Sequence, residues 1–288
     1  GRLPPRCTSR SCIHRHYALA MPLVTAHDIH AYQHDGAVLL RGVVAQETLD
    51  SLANALAINM ASPSKWANDY TSTTDTGRFF DDYVNWQRIT QYKDAALHGV
   101  LPAIAGALMN TSQPRFFHEH VLVKEAGTST PTPWHHDDPY YGVNGLDNVS
   151  LWIPLDDIPE SIALRCLVGS HLWGERYIPN RFLDQSPYAL NAEEFLPMPT
   201  AQELETRGEI KSFAAVPGDV VAFHFRTLHR APGTIGHSSS RRVISLRYVG
   251  DDARWATRPW TTSPPFEDAG LLDGDFLDIE RFPICHLS

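Results

Sequence analysis

The sequence predicts a mainly β protein with flanking helices (α+β), an antiparallel sandwich or barrel with helical packing on one side. Three observations carry this. Helical apolar spacing is confined to the part of the chain before residue 110. After residue 115 short runs rich in β-branched and aromatic residues follow one another, separated by Pro, Gly, Asp and Ser clusters such as Pro217-Gly218-Asp219. No repeat and no interior linker divides the 288 residues, and that length buries a substantial core.

The elements follow in order. Residues 1–20 carry four Arg and no acid, with no apolar periodicity. They read as a leader, a tag or an upstream extension, and residues 21–288 as one domain. Cys7, Cys12, His14 and His16 lie in that extension at a spacing that is not a standard zinc pattern. Thr25 can cap a helix running to Tyr32, and His34-Asp35-Gly36 makes a turn. Residues 37–44 are β-like, residues 46–60 form an amphipathic helix, and residues 97–109 form another, weakened by Gly99 and Pro102. Residues 69–88, with Tyr70, Phe79, Phe80, Tyr83 and Trp86, read equally as a substrate cover or an aromatic helix–sheet interface. Strands are expected at 116–124, 149–155, 163–168, 220–225 and 242–249.

Composition removes several function classes. Hydrophobic residues make up 43% and charged residues 20%, as in an ordinary globular protein. The net charge of −9 argues against a nucleic-acid partner, and no apolar run is long enough to span a membrane. Four cysteines do not make a disulfide framework, so a reducing, cytoplasmic-type compartment is expected.

The chemistry concentrates in Thr132-Pro133-Trp134-His135-His136-Asp137-Asp138-Pro139-Tyr140. In extended backbone i and i+2 project to one side, so His135 and Asp137 can face one ion while His136 and Asp138 face away. A later His would complete a two-His-one-carboxylate triad with open positions, an arrangement suited to Fe(II). His224 and His229 are the candidates. His229, where the strand gives way to a Pro-Gly turn, is favoured, and His224 is expected to be a packed histidine. Twelve residues further on, Arg241 and Arg242 open an apolar strand on opposite faces. Whichever points inward needs an anion for its guanidinium fork. The pairs Asp156-Asp157 and Asp251-Asp252 are expected to close turns, and Gly169-Ser170-His171 to be a structural turn.

Five blocks in order carry a resemblance: Trp134-His135-x-Asp137-x-Pro139-Tyr140, the run 149–157, Gly169-Ser170-His171-x-Trp173-Gly174, Gly218-Asp219-Val220, and the run 242–252. Together they resemble the phytanoyl-CoA dioxygenase family of non-haem iron, 2-oxoglutarate-dependent oxygenases. The resemblance implies a double-stranded β-helix (jelly-roll, cupin-like) core. It implies Fe(II) on His135, Asp137 and His229, with no further catalytic residue. 2-Oxoglutarate and O2 are the implied co-substrates, with Arg241 on the far carboxylate and Arg242 as the fallback. Trp152 and His120 fall at cofactor-lining positions.

Departures from the family pattern are Ala231 where a small polar residue is common, Arg230 beside the distal His at the pocket mouth, and Ser161-Ile162 in a usually glycine-containing turn. The expected reaction is hydroxylation of a C–H bond in a small-molecule substrate, with release of succinate and CO2. The alternatives are a cupin-like metal-dependent hydrolase and a non-catalytic binding protein that kept its metal ligands. A net charge of −13 after Ala20 speaks against a highly anionic substrate such as an acyl-CoA, although Arg226, Arg230, Arg247 and Arg254 could form a local anion site.

Overall fold

A computed structural model describes residues 23–182, 184–238, 240–266 and 270–287. The Arg-rich extension and its Cys and His residues lie outside them. The elements are α1 (Ala26–Asp35), β1 (Ala37–Leu40), α2 (Gln46–Ala61), β2 (Asn68–Asp69), β3 (Phe79–Tyr83), α3 (Thr90–Leu97), α4 (Val100–Met109), β4 (Arg115–Lys124), β5 (Thr132–His135), β6 (Val143–Asn144), β7 (Asn148–Pro154), β8 (Leu164–Leu167), α5 (Ala201–Glu205), β9 (Ile210–Phe213), β10 (Val220–Phe223), β11 (His229–Ala231), β12 (Arg241–Val249) and β13 (Arg254–Trp255).

The expected Thr25 cap is present as a capping box with Asp28, and the helix it starts ends at Gly36, whose φ of 80° is left-handed. The helix expected over 97–109 begins at Val100, and a separate helix, α3, which the sequence reading did not anticipate, ends at Leu97. Gly99, at φ 76°, breaks the chain between α3 and α4, and Pro102 falls harmlessly in the first turn of α4. Of the short strands, β2, β3, β5, β6, β9, β11 and β13 escape the sequence reading. They are brief, and their polar residues interrupt the apolar alternation.

A seven-stranded sheet runs β1-β10-β7-β12-β4-β3-β2 and faces a four-stranded sheet β5-β11-β8-β9, all pairings in both being antiparallel. This is the double-stranded β-helix. Alternation sorts the large sheet into two faces. Val38, Leu40, Phe80, Val121, Val123, Val149, Leu151, Ile153, Ile244 and Leu246 point outward. There they form one core with Leu49, Leu52, Leu56, Tyr92, Leu101, Ile104 and Leu108 of the helices. Burying each such side chain contributes about 1.5–3 kcal/mol. The neighbouring residues point inward, towards the small sheet.

Candidate metal centre

The inner face is not a continuous apolar layer. Near β1 and β10 it is closed by a second core that includes Ile162, Leu164, Phe213, Val221 and Phe223. Elsewhere it opens into a cavity between the sheets. His135 and His229 come to it from β5 and β11, where they are paired directly across the ladder. Asp137 follows from the turn after β5.

The strand ends at His135, and Asp137 is already helical (φ −71°, ψ −34°) because Asp138–Tyr140 forms a 3-10 turn around Pro139. The i, i+2 pair still converges. Likewise His229 opens β11 rather than closing the preceding strand, which stops at Phe223.

One ligand atom each from His135, Asp137 and His229 lie within 4.8 Å of one another, and all three residues are buried. The tautomers are set by their other nitrogens. His135 Nδ1 donates to the Pro133 carbonyl and His229 Nδ1 to that of Thr227, both at 2.9 Å. Each Nε2 therefore presents a lone pair, 3.8 Å from the same Asp137 oxygen. Burial, and then the neighbouring His229, pushes the His135 imidazole down to about 3, and burial lowers His229. Burial alone would raise the Asp137 carboxyl, but the Arg247 guanidinium and the two imidazoles hold it well below the usual carboxylate range.

Two neutral imidazoles and one carboxylate are the donor set of a divalent metal site. The carboxylate is aimed by Ser150, whose hydroxyl donates to it at 3.1 Å, and by Arg247 at 3.4 Å. Arg247 Nε also bonds the Tyr141 hydroxyl. Supports of this kind orient metal ligands.

His136 and Asp138, the neighbours of His135 and Asp137, face away, as the spacing predicts. His136 accepts the Tyr177 backbone N–H at 3.0 Å, and Asp138 is held by Arg176 at 2.7 Å and Arg226 at 3.3 Å. These contacts tie a covering segment to the metal-side turn. The Tyr140 hydroxyl donates to Asn180 O at 2.6 Å and accepts from Asn180 N at 3.1 Å. Phe182, two residues on, lays its ring 4.9 Å from that of His135. His224 lies apart: its Nε2 donates to Leu146 O, and it is a packed histidine.

Arg241 points into the cavity, 4% exposed, and donates to the Ile162 carbonyl. Arg242 points out and grips Asp156 with Nε and Nη2 at 2.6–3.1 Å. Asp156 thus pairs with a surface arginine, and Asp252 caps the backbone at Leu146. Ser170 braces Leu228 N, so the Gly169-Ser170-His171 turn is structural.

Trp152 and His120 both line the cavity. His120 Nε2 donates to Asp81 at 3.0 Å, and its Nδ1 lies 3.4 Å from Arg247. The stretch 69–88 divides: Tyr70 and Tyr83 line the cavity, while Phe80 and Trp86 pack under the helices as the expected aromatic interface.

The supposed anion site does not assemble. Arg226 is on Asp138, Arg254 on backbone carbonyls and Phe276, and Arg230 on Glu205 at 2.8 Å, outside the main cavity. Arg230 therefore does not stand over the metal ligands. Strand alternation turns its side chain to the outer side of β11.

Asp81 and Lys124 are among the cavity residues that escaped the sequence reading, and Arg247, expected at an anion site, instead braces Asp137. Lys124 carried a usable signal, because it shares the period-two face of His118, His120 and Leu122. A lysine there has no solvent to reach.

The family model for phytanoyl-CoA dioxygenase (PhyH) matches residues 32–243. No curated protein matches the chain. Among solved structures, the non-haem alpha-ketoglutarate-dependent carbocyclase SnoK from nogalamycin biosynthesis superposes with a TM-score of 0.70 at 21% identity, covering 91% of this chain and 97% of its own. The epimerase SnoN, in complex with Fe3+, alpha-ketoglutarate and nogalamycin RO, gives 0.70 and 21% over 90% and 97%. EctD from S. alaskensis, with 2-oxoglutarate and 5-hydroxyectoine, gives 0.63 and 17% over 89% and 86%. At these identities the likeness establishes the fold.

Proposed function

The chain belongs to the phytanoyl-CoA dioxygenase family, and from that premise we propose that it is an Fe(II)- and 2-oxoglutarate-dependent oxygenase that hydroxylates a C–H bond of a small molecule. One observation carries the reading. Two neutral imidazoles and a carboxylate converge in the same cavity as an inward arginine that has no carboxylate partner among the described residues.

His135, Asp137 and His229 would hold the iron on one face, and Arg241 would receive the far carboxylate of 2-oxoglutarate. When bound, the iron couples O2 and the oxidative decarboxylation of 2-oxoglutarate to substrate oxidation, giving succinate, CO2 and the hydroxylated product. The chain's own part is placement. Ser150, Tyr141 and Arg247 fix the ligating carboxylate, Trp152 and His120 wall the co-substrate, and Phe182 and Tyr140 keep water from the ligand side.

Substrate would enter past Tyr70, Tyr83 and Tyr188. Beyond Arg241 and Lys124 the cavity's only lysine or arginine is Arg247, already engaged with Asp137, so the lining favours a substrate without phosphate groups. A reducing, cytoplasmic-type setting is part of the same reading, because Cys166 and Cys285 are buried and unpaired.

The test is to titrate 2-oxoglutarate into anaerobic, Fe(II)-loaded protein and follow the visible charge-transfer band of the chelated keto acid. A band saturating near one equivalent supports the reading. Its absence, together with silent calorimetry, would overturn it in favour of a metal-dependent hydrolase or a binding protein.

A further inference from the structure

We propose that the outer side of the four-stranded sheet carries a second binding site, a pocket around Arg165 and Arg230 that takes the anionic head of a small organic molecule. The site is separate from the metal-side cavity and does not depend on the function proposed above.

β8 and β11 lie side by side in that sheet, and Arg165 is the direct cross-strand partner of Arg230. Leu164 and Cys166, the neighbours of Arg165, pack into the inner core, so alternation sends both guanidinium groups to the outer side. There they line a pocket together with Pro133, Trp134, Met198 and Thr200. Neither arginine lines the metal-side cavity. Thr132, Asn180 and Ala231 line both, so the two spaces lie back to back.

The charges in this pocket do not balance. Like charges directly opposite each other on a sheet are destabilising, and one acid serves the two cations. Glu205 Oε1 accepts from Arg230 Nη1 at 2.8 Å and from Trp134 Nε1 at 3.1 Å. Arg230 Nε is left buried without an acceptor. Arg165 has no ion-pair partner among the described residues. No Asp or Glu lines the pocket, in a chain with 33 of them against 24 Lys and Arg.

A buried donor with no acceptor is costly. An oxyanion set between the two guanidinium groups would meet the free Nε and the unpaired fork of Arg165, and would remove the repulsion. The guanidinium of Arg230 stands 5.1 Å from the centre of the Trp134 ring, a contact that steadies it. Pro133, Met198 and Trp134 offer an apolar bed beside the charges. The ligand that fits is thus a carboxylate or phosphate ester on an apolar body.

The experiment is calorimetry on the full chain at about 0.15 M salt, where weak surface attraction is screened. Phenyl phosphate and benzoate share an apolar body and differ in the anionic head, and benzyl alcohol keeps the body without charge. At least one of the two anions is expected to bind with a Kd of about 0.1–1 mM, and benzyl alcohol at least about 10-fold more weakly. The tighter anion identifies the head. Arg165→Gln should weaken it about 10-fold or more, while Arg242→Gln, which removes one charge from the other sheet, should stay within about twofold. No heat from either anion at about 10 mM, or equal binding of benzyl alcohol, overturns the proposal. So does equal weakening in the two variants. Unchanged affinity in Arg165→Gln also overturns it and puts the anion in the metal-side cavity.

Arg165→Lys covers the case in which the glutamine variant does not fold. It keeps the charge but not the fork, and should weaken the tighter anion about threefold or more. Unchanged affinity there would count against the site in the same way.

Discussion

The two faces of the seven-stranded sheet are made from alternate residues of the same strands, yet they are built for different ends. On β4, Val121 and Val123 join the helix-side core, while His118, His120 and Lys124 face the cavity. On β12, Ile244 and Leu246 do the first job, and Arg241 and Arg247 the second. The outer face contributes stability through apolar burial. The inner face spends some of that stability on buried cations and neutral histidines whose worth appears only when something binds. A period of two lets one strand serve both ends without compromise.

The strongest way to break this division is to cut into the outer face. Leu52→Ala, at a fully buried site, should cost about 3 kcal/mol in urea unfolding, and metal and 2-oxoglutarate affinity should stay unchanged in calorimetry. A large loss of ligand affinity there would show that the faces are not independent.

Next comes the inner face. His229→Ala should weaken Fe(II) binding by more than about 100-fold, beyond the loss expected from removing a residue that merely supports a ligand. The melting point of the metal-free variant should hold, and a collapse of the fold would contradict the comparison.

Acid should find the inner face and its surroundings first. Burial pushes His135 down to about 3, and His136 and His224 to about 4, against about 6.5 in an unfolded chain. Depressed values mean that their neutral burial counts in full above that unfolded value and is lost as pH falls through the folded ones. The melting temperature should therefore fall steadily between about pH 6.5 and 4, and His224→Gln should flatten part of that slope. A flat profile in wild type would show that these groups are not buried uncharged.

The smallest effect is expected at Arg242→Ala. Its pair with Asp156 is partly exposed, so stability should change by less than about 1 kcal/mol. 2-Oxoglutarate affinity should not move, which sharpens the contrast with Arg241 one residue earlier.

What the sequence made legible follows the same division. The β-rich class, the capped first helix and the amphipathic second one were readable because apolar periodicity reports the outer face. The convergence of His135, Asp137 and His229 was readable because His135 and Asp137 are two residues apart in near-extended chain, and because the blocks around them come in a recognisable order. The choice between Arg241 and Arg242 was not, since either could face inward until the register of β12 with β4 was known. Asp81 and Lys124 were hidden for a related reason. Their meaning comes from partners across the ladder or far along the chain, such as His120 for Asp81 and Arg241 for Lys124.

The Tyr140 hydroxyl, which both gives a hydrogen bond to Asn180 and takes one from it, has a mechanical consequence. It belongs to the turn that carries Asp137, and Asn180 to the segment that lays Phe182 against His135. Any displacement of that segment would strain or break this latch, and the load would fall on the turn that carries Asp137. The phenol shares that load with the Tyr177–His136 and Arg176–Asp138 contacts, which join the same segment to the same turn.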